Sequence, residues 1–570
     1  MTERLTHDVL IMGAGLAGLR AAVEISRRLE GKADIGILSK VQLMRAHSVC
    51  AEGGTAAVLR TEEGDSIELH AWDTVKGSDF LADQDVAWRF VKTIPKEILQ
   101  LDHWGIPWTR DEHGRIEQRP FGGHSYPRAT LAADKTGFFE MQCLYDTLLR
   151  YRCFTRYDEF FITDILVEEG RFAGLLGIHA PSGESVLLQG KALLIATGGG
   201  GTLYGFTTYS QTVSGDGMAM AYRAGLPLED MEFLQFHPTG LVPSGILMTE
   251  ACRGEGGYLR NAKGERFMEK YAASKMELAP RDMVSRAEMT EILEGRGFPH
   301  PDGLDYIHLD LTHLGAEKIN TRLPLIREVC IKFIGLDPIE EPIPVRPVAH
   351  YSMGGVECDI TGLTRLPNIW VAGEAACVSL HGANRLGSNS TAECLVWGGI
   401  CGEEIVKALP RLKVTTASEA RVQAARRHVE GIADRTGNEN LYQVKQELRA
   451  AMDKYVGVFR KEPELHEALK KIAEIRERSK RAPVTDKGKV YNSNLFHALE
   501  IENLIDLAEV TVVGALARKE SRGAHARRDF PSRDDEEWLK HTLAFRTEAG
   551  PRLTYKPVTI NTWKPVERKY

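Results

Sequence analysis

The pattern of apolar and polar positions lays out the architecture of the chain. Val9–Met12 is a short, wholly apolar run; a glycine-rich turn follows, and Leu16–Leu29 carries apolar residues at helical spacing. Ile35–Leu38 is a second apolar run. Strand, turn, helix and strand in this order form the opening βαβ unit of a doubly wound parallel sheet. Two later apolar runs also end in glycine: Ala192–Ala196 before Thr197-Gly-Gly-Gly-Gly201, and Ile369–Ala372 before Gly373-Glu374. They lie far apart, so a domain built from all these strands is interrupted. The intervening stretch, dense in polar and charged residues, reads as a capping insertion of mixed α+β character. From about Thr416 the residues Ala, Glu, Lys, Arg and Leu recur at helical spacing, most clearly over Glu462–Lys480 and Leu495–Lys519. Beyond Arg522 the chain is irregular, rich in Arg, Asp and Pro, and ends in short strand-like pieces. The expected fold is α/β: a Rossmann-like dinucleotide-binding domain in two parts (1–232 and 346–415), a capping domain between them (233–345), a helical domain (416–521) and a C-terminal tail region (522–570).

Composition narrows the class. The 570 residues are enough for several cores, and 43% apolar with 26% charged residues is ordinary for a globular protein. A net charge of −7 argues against a nucleic-acid partner. The nine cysteines form no Cys-x-x-Cys pair, which excludes a local zinc or iron–sulfur motif and fits reduced thiols; no metal ligand set is expected. No apolar run reaches the roughly 20 residues of a membrane helix. The nearest, Val9–Ile25, is broken by Gly13, Gly15, Gly18 and Arg20. The polar N-terminus shows no signal peptide or twin-arginine leader.

The turn Gly13-Ala14-Gly15-Leu16-Ala17-Gly18 follows a strand and opens a helix. Its glycines let backbone N–H groups approach a pyrophosphate at the helix N-terminus. The acid expected about 20 residues on, at a ribose, is replaced by Ser39-Lys40, which counts against ordinary NAD binding. Just past the second strand stands Arg45-Ala-His47-Ser48-Val-Cys-Ala-Glu52-Gly53-Gly54. Ser214-Gly-Asp216-Gly217 is a glycine-framed acid. Gly373-Glu374 puts a carboxylate at a strand end, and Ser388-Asn-Ser390-Thr391 opens a helix. In this order the segments resemble the cofactor site of succinate dehydrogenase and fumarate reductase flavoproteins. The resemblance runs from Asp8 to Tyr570 and includes Phe121-Gly-Gly-His124 and Ala132-Ala-Asp-Lys-Thr-Gly137, read as packing around the site. It implies that the dinucleotide is FAD, attached covalently through His47. Gly13, Ala14, Gly15, Gly18, Ser39, Lys40, Ser48, Glu52, Gly53, Gly54, Asp216, Glu374, Ser390 and Thr391 complete the cofactor set. Glu374 would accept from ribityl hydroxyls, and the helix N-terminus at Ser390-Thr391 would stabilise charge on the reduced flavin.

Five further segments resemble the family's dicarboxylate site: Gln-Phe-His237-Pro-Thr-Gly240, Thr249-Glu250-Ala-Cys-Arg253, Ala-Pro-Arg281-Asp282, Ala-His350-Tyr-Ser-Met-Gly-Gly355 and His-Gly-Ala-Asn-Arg385-Leu-Gly387. The resemblance implies that Arg385 and His350 hold one carboxylate of succinate or fumarate and His237 and Thr249 the other. Arg281 then exchanges a proton with the substrate while flavin N5 exchanges hydride. Arginine is a poor acid by its ordinary pKa, so the role requires a relay. Glu250 and Arg253, three residues apart, share a helical face and would complete an Arg–Glu–Arg chain to solvent; the alternative is a structural ion-pair network. Cys252, beside that relay, is expected to give modest sensitivity to thiol reagents.

With no cluster, haem or anchor motif of its own, the chain needs partners. The resemblance implies an iron–sulfur subunit, membrane anchor subunits exchanging electrons with quinone, and a peripheral place on the cytoplasmic face of the cell membrane. Glu52 stands where some fumarate reductases carry Glu and many succinate dehydrogenases carry Gln, a lean toward fumarate reduction. The alternative is a soluble, L-aspartate oxidase-like flavoenzyme with non-covalent FAD, which would not need His47.

Overall fold

The computed structural model describes residues 3–569; Met1, Thr2 and Tyr570, the last residue of the resemblance, lie outside the described residues. Its central sheet has the strand order 154–157, 35–38, 3–12, 184–195, 171–179, 160–168, with Ile369–Val371 also pairing with the strand Glu184–Ile195. Pairing is parallel from Phe154–Tyr157 through Ile35–Leu38 and Glu3–Met12 to Glu184–Ile195. Val9–Met12, Ile35–Leu38 and Ala192–Ile195 are buried on both faces, as strands covered by helices must be. The first strand begins at Glu3, earlier than the apolar run, because Glu3–His7 pairs with Val186–Gly190 of the strand Glu184–Ile195, which on its other side pairs into an antiparallel meander. The helix Leu16–Arg28 packs on the helix Asn389–Ala408 across one face of the sheet. Gly398 and Gly402 allow the approach: a Cβ there would sit 2.7 Å from Ala17 O and 2.8 Å from Glu24 Cβ respectively.

A second, antiparallel sheet of four strands (234–241, 343–352, 307–310, 258–260) carries its own apolar cluster, from Leu241 to Val345. Its entry and exit are neighbours. Leu228–Glu229 leads into it and Gly355–Glu357 leads out, and these two segments pair antiparallel with each other. Through Leu228–Glu229, a separate five-stranded sheet joins these two segments to the C-terminal hairpin Lys540–Thr547 and Gly550–Pro557. These are full eight-residue strands, longer than the short pieces read from sequence. Three polar contacts tie the hairpin down. His541 bonds Asp230 at 2.6 Å and Asp83 at 3.3 Å, and Lys556 pairs with Glu229 at 2.8 Å. Burial opposes a charge on His541, but Asp230 and Asp83 overcome it and raise its pKa to about 10.

The helices Glu419–Ala433, Leu441–Tyr455, Glu462–Ser479 and Ser493–Ala517 form the helical layer around a third cluster. Ser493–Ala517 contributes to this cluster and, through Leu507 and Val510, to the core of the cofactor-binding layer; Glu502, Asp506 and Glu509 share its half-buried side, where Arg435 and Arg476 donate to them. Among the described residues no helix is long and apolar enough to cross a membrane, and all nine cysteines are free.

Candidate active site

A cavity of about 690 Å³ opens at the C-terminal ends of the parallel strands, where ligands bind in doubly wound sheets. Its wall gathers residues from widely separated segments: Gly13, Ala14, Gly15, Ser39, Lys40, His47, Ser48, Glu52, Asp216, His350, Glu374, Ser390 and Thr391. Gly18, Gly53 and Gly54 do not line it. They serve close packing behind the wall: a Cβ on Gly18 would meet Gly13 O at 2.0 Å, on Gly53 the Phe121 ring at 3.0 Å, and on Gly54 Thr130 O at 2.5 Å.

The glycine turn has the cradle a dinucleotide needs. Gly13 has φ +115, and a Cβ there would lie 2.1 Å from Ala196 O, so only glycine fits. The Ser48 hydroxyl accepts from Leu16 N–H at 3.2 Å, placing the second loop against the helix N-terminus. The segment 132–137 closes behind it, since a Cβ on Gly137 would meet Ser48 O at 2.1 Å. Lys40 is paired with Asp216 and with Glu500 of the helical layer and donates to Ser214, so Lys40 and Asp216 form one ion cluster on the cavity wall. Glu374 accepts from Ser352 N–H at 2.8 Å and from the Tyr209 hydroxyl, and burial pushes its carboxyl up to about 7. Both of these protein donors meet its Oε1. The Glu52 carboxyl is pushed up to about 8 by burial and by Asp134, which makes it a neutral acid on the wall at pH 7.

His47 lies in a short 3-10 turn, His47–Cys50, half-buried. Its ring stacks on Tyr209 (centroids 5.2 Å apart, 15° between planes), and Ser210 N–H donates to its Nδ1 at 3.4 Å. Burial pushes its pKa down to about 4. The imidazole is therefore neutral, with the lone pair on Nδ1 and the proton or a substituent on Nε2.

The second group sits beside the cavity, where the four-stranded sheet meets the cofactor layer. His237 and His350 come from paired antiparallel strands, and their rings lie 4.9 Å apart. Arg281 is the first residue of the helix Arg281–Glu291; its Nε donates to Glu250 at 2.7 Å and its Nη1 to Gln235 at 3.1 Å. Arg253 lies 3.7 Å from the same Glu250 oxygen, so the carboxylate stands between two guanidiniums. The other Glu250 oxygen accepts from Gly122 N–H at 2.6 Å. Arg385 lies over the Tyr351 ring at 4.4 Å and donates to Ser390 at 2.8 Å, linking this group to the cofactor wall. Thr249, next to Glu250, is buried. His124 bonds Gly387 O at 2.9 Å, shaping the loop that carries Arg385.

Electrostatics distinguish this group. Burial opposes the charge on Glu250, yet Arg281 and Arg253 hold its pKa down at about 2. Burial drives the Arg281 guanidinium down, Glu250 opposes, Arg385 adds to the fall, and it settles at about 9. Burial, with Arg281 nearby, keeps His237 neutral. Three guanidiniums then face one carboxylate, leaving two positive charges uncompensated. His237 Nε2, Arg385 Nε and Arg253 Nε are buried without hydrogen-bonding partners, and Arg253 Nη2 has only the Glu250 carboxylate at 3.7 Å. Buried donors in this condition call for an anion. Cys252 is fully buried and burial pushes its thiol well up, so the closed site does not support the expected modest reactivity: its place beside the relay was legible, its depth was not.

Two residues of the site carried no assignment in the sequence. Gln235 bridges Arg281 and the Arg385 carbonyl (2.7 Å); its place two residues before His237 on a strand, hence on the same face, was the available signal. Tyr209, which touches both His47 and Glu374, stands in no motif.

Comparison with known proteins follows this geometry. A family described as FAD binding domain matches residues 8–391, and one described as fumarate reductase flavoprotein C-term matches 445–570. The chain is 44% identical over 581 residues to the fumarate reductase flavoprotein subunit of Mycobacterium tuberculosis (strain ATCC 25618 / H37Rv), covering 99% of each. It is 42% identical over 577 residues to the succinate dehydrogenase flavoprotein subunit of Rickettsia bellii, covering 97% of this chain and 96% of that one. Among solved structures, a variant of the E. coli quinol fumarate reductase flavoprotein superposes with a TM-score of 0.96 at 42% identity, over 99% of both chains.

Proposed function

The chain belongs to the succinate dehydrogenase and fumarate reductase flavoprotein family, and from that premise we propose which of its residues carry the reaction. It is an FAD-dependent flavoprotein subunit of a membrane-associated succinate:quinone oxidoreductase that interconverts succinate and fumarate, working with an iron–sulfur subunit and membrane anchor subunits. The soluble aspartate oxidase alternative is not favoured, because full-length likeness is to subunits of such complexes. The cytoplasmic face of the membrane is the proposed location.

The single observation that carries the residue assignment is the charge balance beside the cavity: two uncompensated positive charges, with unpartnered donors on His237 and Arg385. A four-carbon dicarboxylate brings two negative charges. Arg385 and His350 would hold one carboxylate, and His237 and Thr249 the other. Bound FAD supplies hydride exchange at N5. Arg281 supplies or takes the proton at the adjacent carbon, and its lowered pKa of about 9 makes a guanidinium a usable acid. Glu250 holds Arg281 in place and passes protons between it and Arg253. Covalent attachment through His47 is supported by its neutral ring, whose Nδ1 accepts from Ser210 and leaves Nε2 for the bond.

The test uses the assembled complex. Reduced viologen with fumarate, and succinate with a phenazine acceptor, should both turn over, and each should be inhibited competitively by a non-reacting dicarboxylate. Absence of turnover in both directions, with no dicarboxylate-dependent change in flavin absorbance, would overturn the assignment.

A further inference from the structure

The tail segment beyond the C-terminal hairpin is fastened to the cofactor-binding layer. Trp563 stacks on Trp88 (centroids 5.5 Å apart, 18° between planes). The Trp563 backbone exchanges two hydrogen bonds with the Gln84 side chain, at 2.7 and 3.0 Å, and Arg533 donates to Val566 O at 3.0 Å. This course brings Arg568 between two buried carboxylates. Its Nε lies 3.1 Å from Asp79, just past the helix Ile67–Gly77, and its Nη2 lies 2.6 Å from Asp282. The Arg568 side chain is only 7% exposed, so this is not a surface pair.

Asp282 is the second residue of the helix Arg281–Glu291, immediately after Arg281. Successive side chains leave a helix about 100° apart, so Arg281 turns toward Glu250 and Gln235 while Asp282 turns toward the tail. Arg286, one turn on, also donates to Asp282 at 2.9 Å, but it moves with the helix; Arg568 is held from outside it. Burial opposes the charge on Asp282, yet Arg568 and Arg286 hold its carboxyl below the usual range. Burial likewise opposes the charge on Asp79, which Arg568, Arg522 and Arg533 bring down to about 2. Both carboxylates are ionised, and one guanidinium spans them.

We propose that Arg568 is a positioning residue for Arg281: by tying Asp282 to Asp79 it fixes the start of the helix Arg281–Glu291 against the cofactor-binding layer. The proposal rests on the reading of Arg281 as the acid. Arg281 belongs to a helix packed on the four-stranded sheet, whereas Arg385 and the cavity wall belong to the cofactor layer. A proton donor is useful only within hydrogen-bond reach of its carbon, and a displacement of about 1 Å can cost roughly 10²-fold in rate. Two hydrogen bonds cross between these elements at the site itself, from Gln235 to Arg385 O and from Gly122 to Glu250. Arg568 adds a bridge of full charges, made by a residue that does not line the cavity. Its removal leaves neither carboxylate alone. Asp282 keeps Arg286, and Asp79 keeps Arg533 at 2.8 Å and Gly523 N–H at 2.9 Å. What is lost is the link between them.

The experiment uses the assembled complex and viologen-coupled fumarate reduction. Arg568→Met should lower kcat by roughly tenfold, with fumarate KM and flavin content unchanged, because the residues assigned to hold the carboxylates are untouched. Arg568→Lys, which keeps the charge without the fork, should fall between. Arg533→Met removes a cation from Asp79 without touching Asp282, so it should lower the melting temperature and leave kcat as it is. In an Arg281→Lys background, Arg568→Met should cost less than about threefold, since the acid it positions is already misplaced. An unchanged kcat in Arg568→Met would overturn the proposal. So would the same tenfold loss in the Arg281→Lys background, or an equal loss of kcat in Arg533→Met, the marks of a purely structural side chain. Should Arg568→Met fail to assemble, Arg568→Lys carries the test by the same criteria. Arg281→Lys alone separates the underlying reading. If it turns over normally, the acid assignment falls and the proposal with it; if it is slow while Arg568→Met is normal, only the present proposal falls.

Discussion

Replacing Arg281 by lysine tests the proposed acid most directly. The protein lowers the guanidinium from 12.5 to about 9, through burial and the neighbouring Arg385, with Glu250 opposing. Lysine keeps the positive charge but starts from about 10.4. The same surroundings would therefore bring its ammonium to about 7. The variant also loses the fixed fork that donates at once to Glu250 and Gln235, so the donor is misplaced, and kcat should fall by roughly 10²–10⁴ at any pH. The residual activity is the informative part. An acid that must be protonated to work loses rate as pH rises through its pKa, so the alkaline limb of kcat for fumarate reduction should lie near pH 9 in the unaltered enzyme and near pH 7 in Arg281→Lys. The assay is viologen-coupled fumarate reduction from pH 6 to 10, with the flavin content of each preparation measured. An alkaline limb at the same pH in both enzymes would mean that the titrating group is not Arg281, and the assignment would fail.

Other expectations are as direct. His47→Ser should abolish the fluorescence of the acid-denatured polypeptide while leaving FAD bound non-covalently; a flavin mass retained on the variant's peptide 45–54 would refute attachment at His47. Gly13→Ala places a Cβ about 2.1 Å from Ala196 O at φ +115, so it should yield protein without FAD, read from the absorbance ratio of the purified chain; normal flavin content would refute the close approach. His541 carries a pKa of about 10, above its ordinary 6.5, so its contribution is complete below pH 6.5 and is lost as pH rises through about 10. The melting temperature should fall over that window, and His541→Leu, which breaks a buried charge group at a cost of about 3–5 kcal/mol, should flatten the fall; parallel curves would refute it.

What could be read from sequence was mostly local. The βαβ opening, the glycine turn and the helices Glu462–Ser479 and Ser493–Ala517 follow from spacing within a dozen residues, and their ends agree within two residues. Non-local pairing was hidden. The extension of the first strand to Glu3 depends on Val186–Gly190, and the C-terminal hairpin owes its length to Leu228–Glu229, both partners far along the chain. The site shows the same division. Apart from Gln235 and Tyr209 its residues were singled out by motif, but the pairing of Lys40 with Asp216 and Glu500, the engagement of Glu374 by Tyr209, and the depth of Cys252 are properties of packing.

The dispersal of the cavity wall has a consequence for how the protein is made. Its residues come from 12–52, 135–220, 246–247, 325–329, 350–374 and 390–394, so a chain leaving the ribosome has no complete cofactor site until Cys394 has emerged. The Lys40–Asp216 cluster waits longer still, for Glu500. At roughly 5–20 residues per second, the glycine turn spends tens of seconds without the surfaces that enclose it. Flavin capture is thus a late event in the life of the chain, and any factor that assists it must act on a molecule already nearly full length.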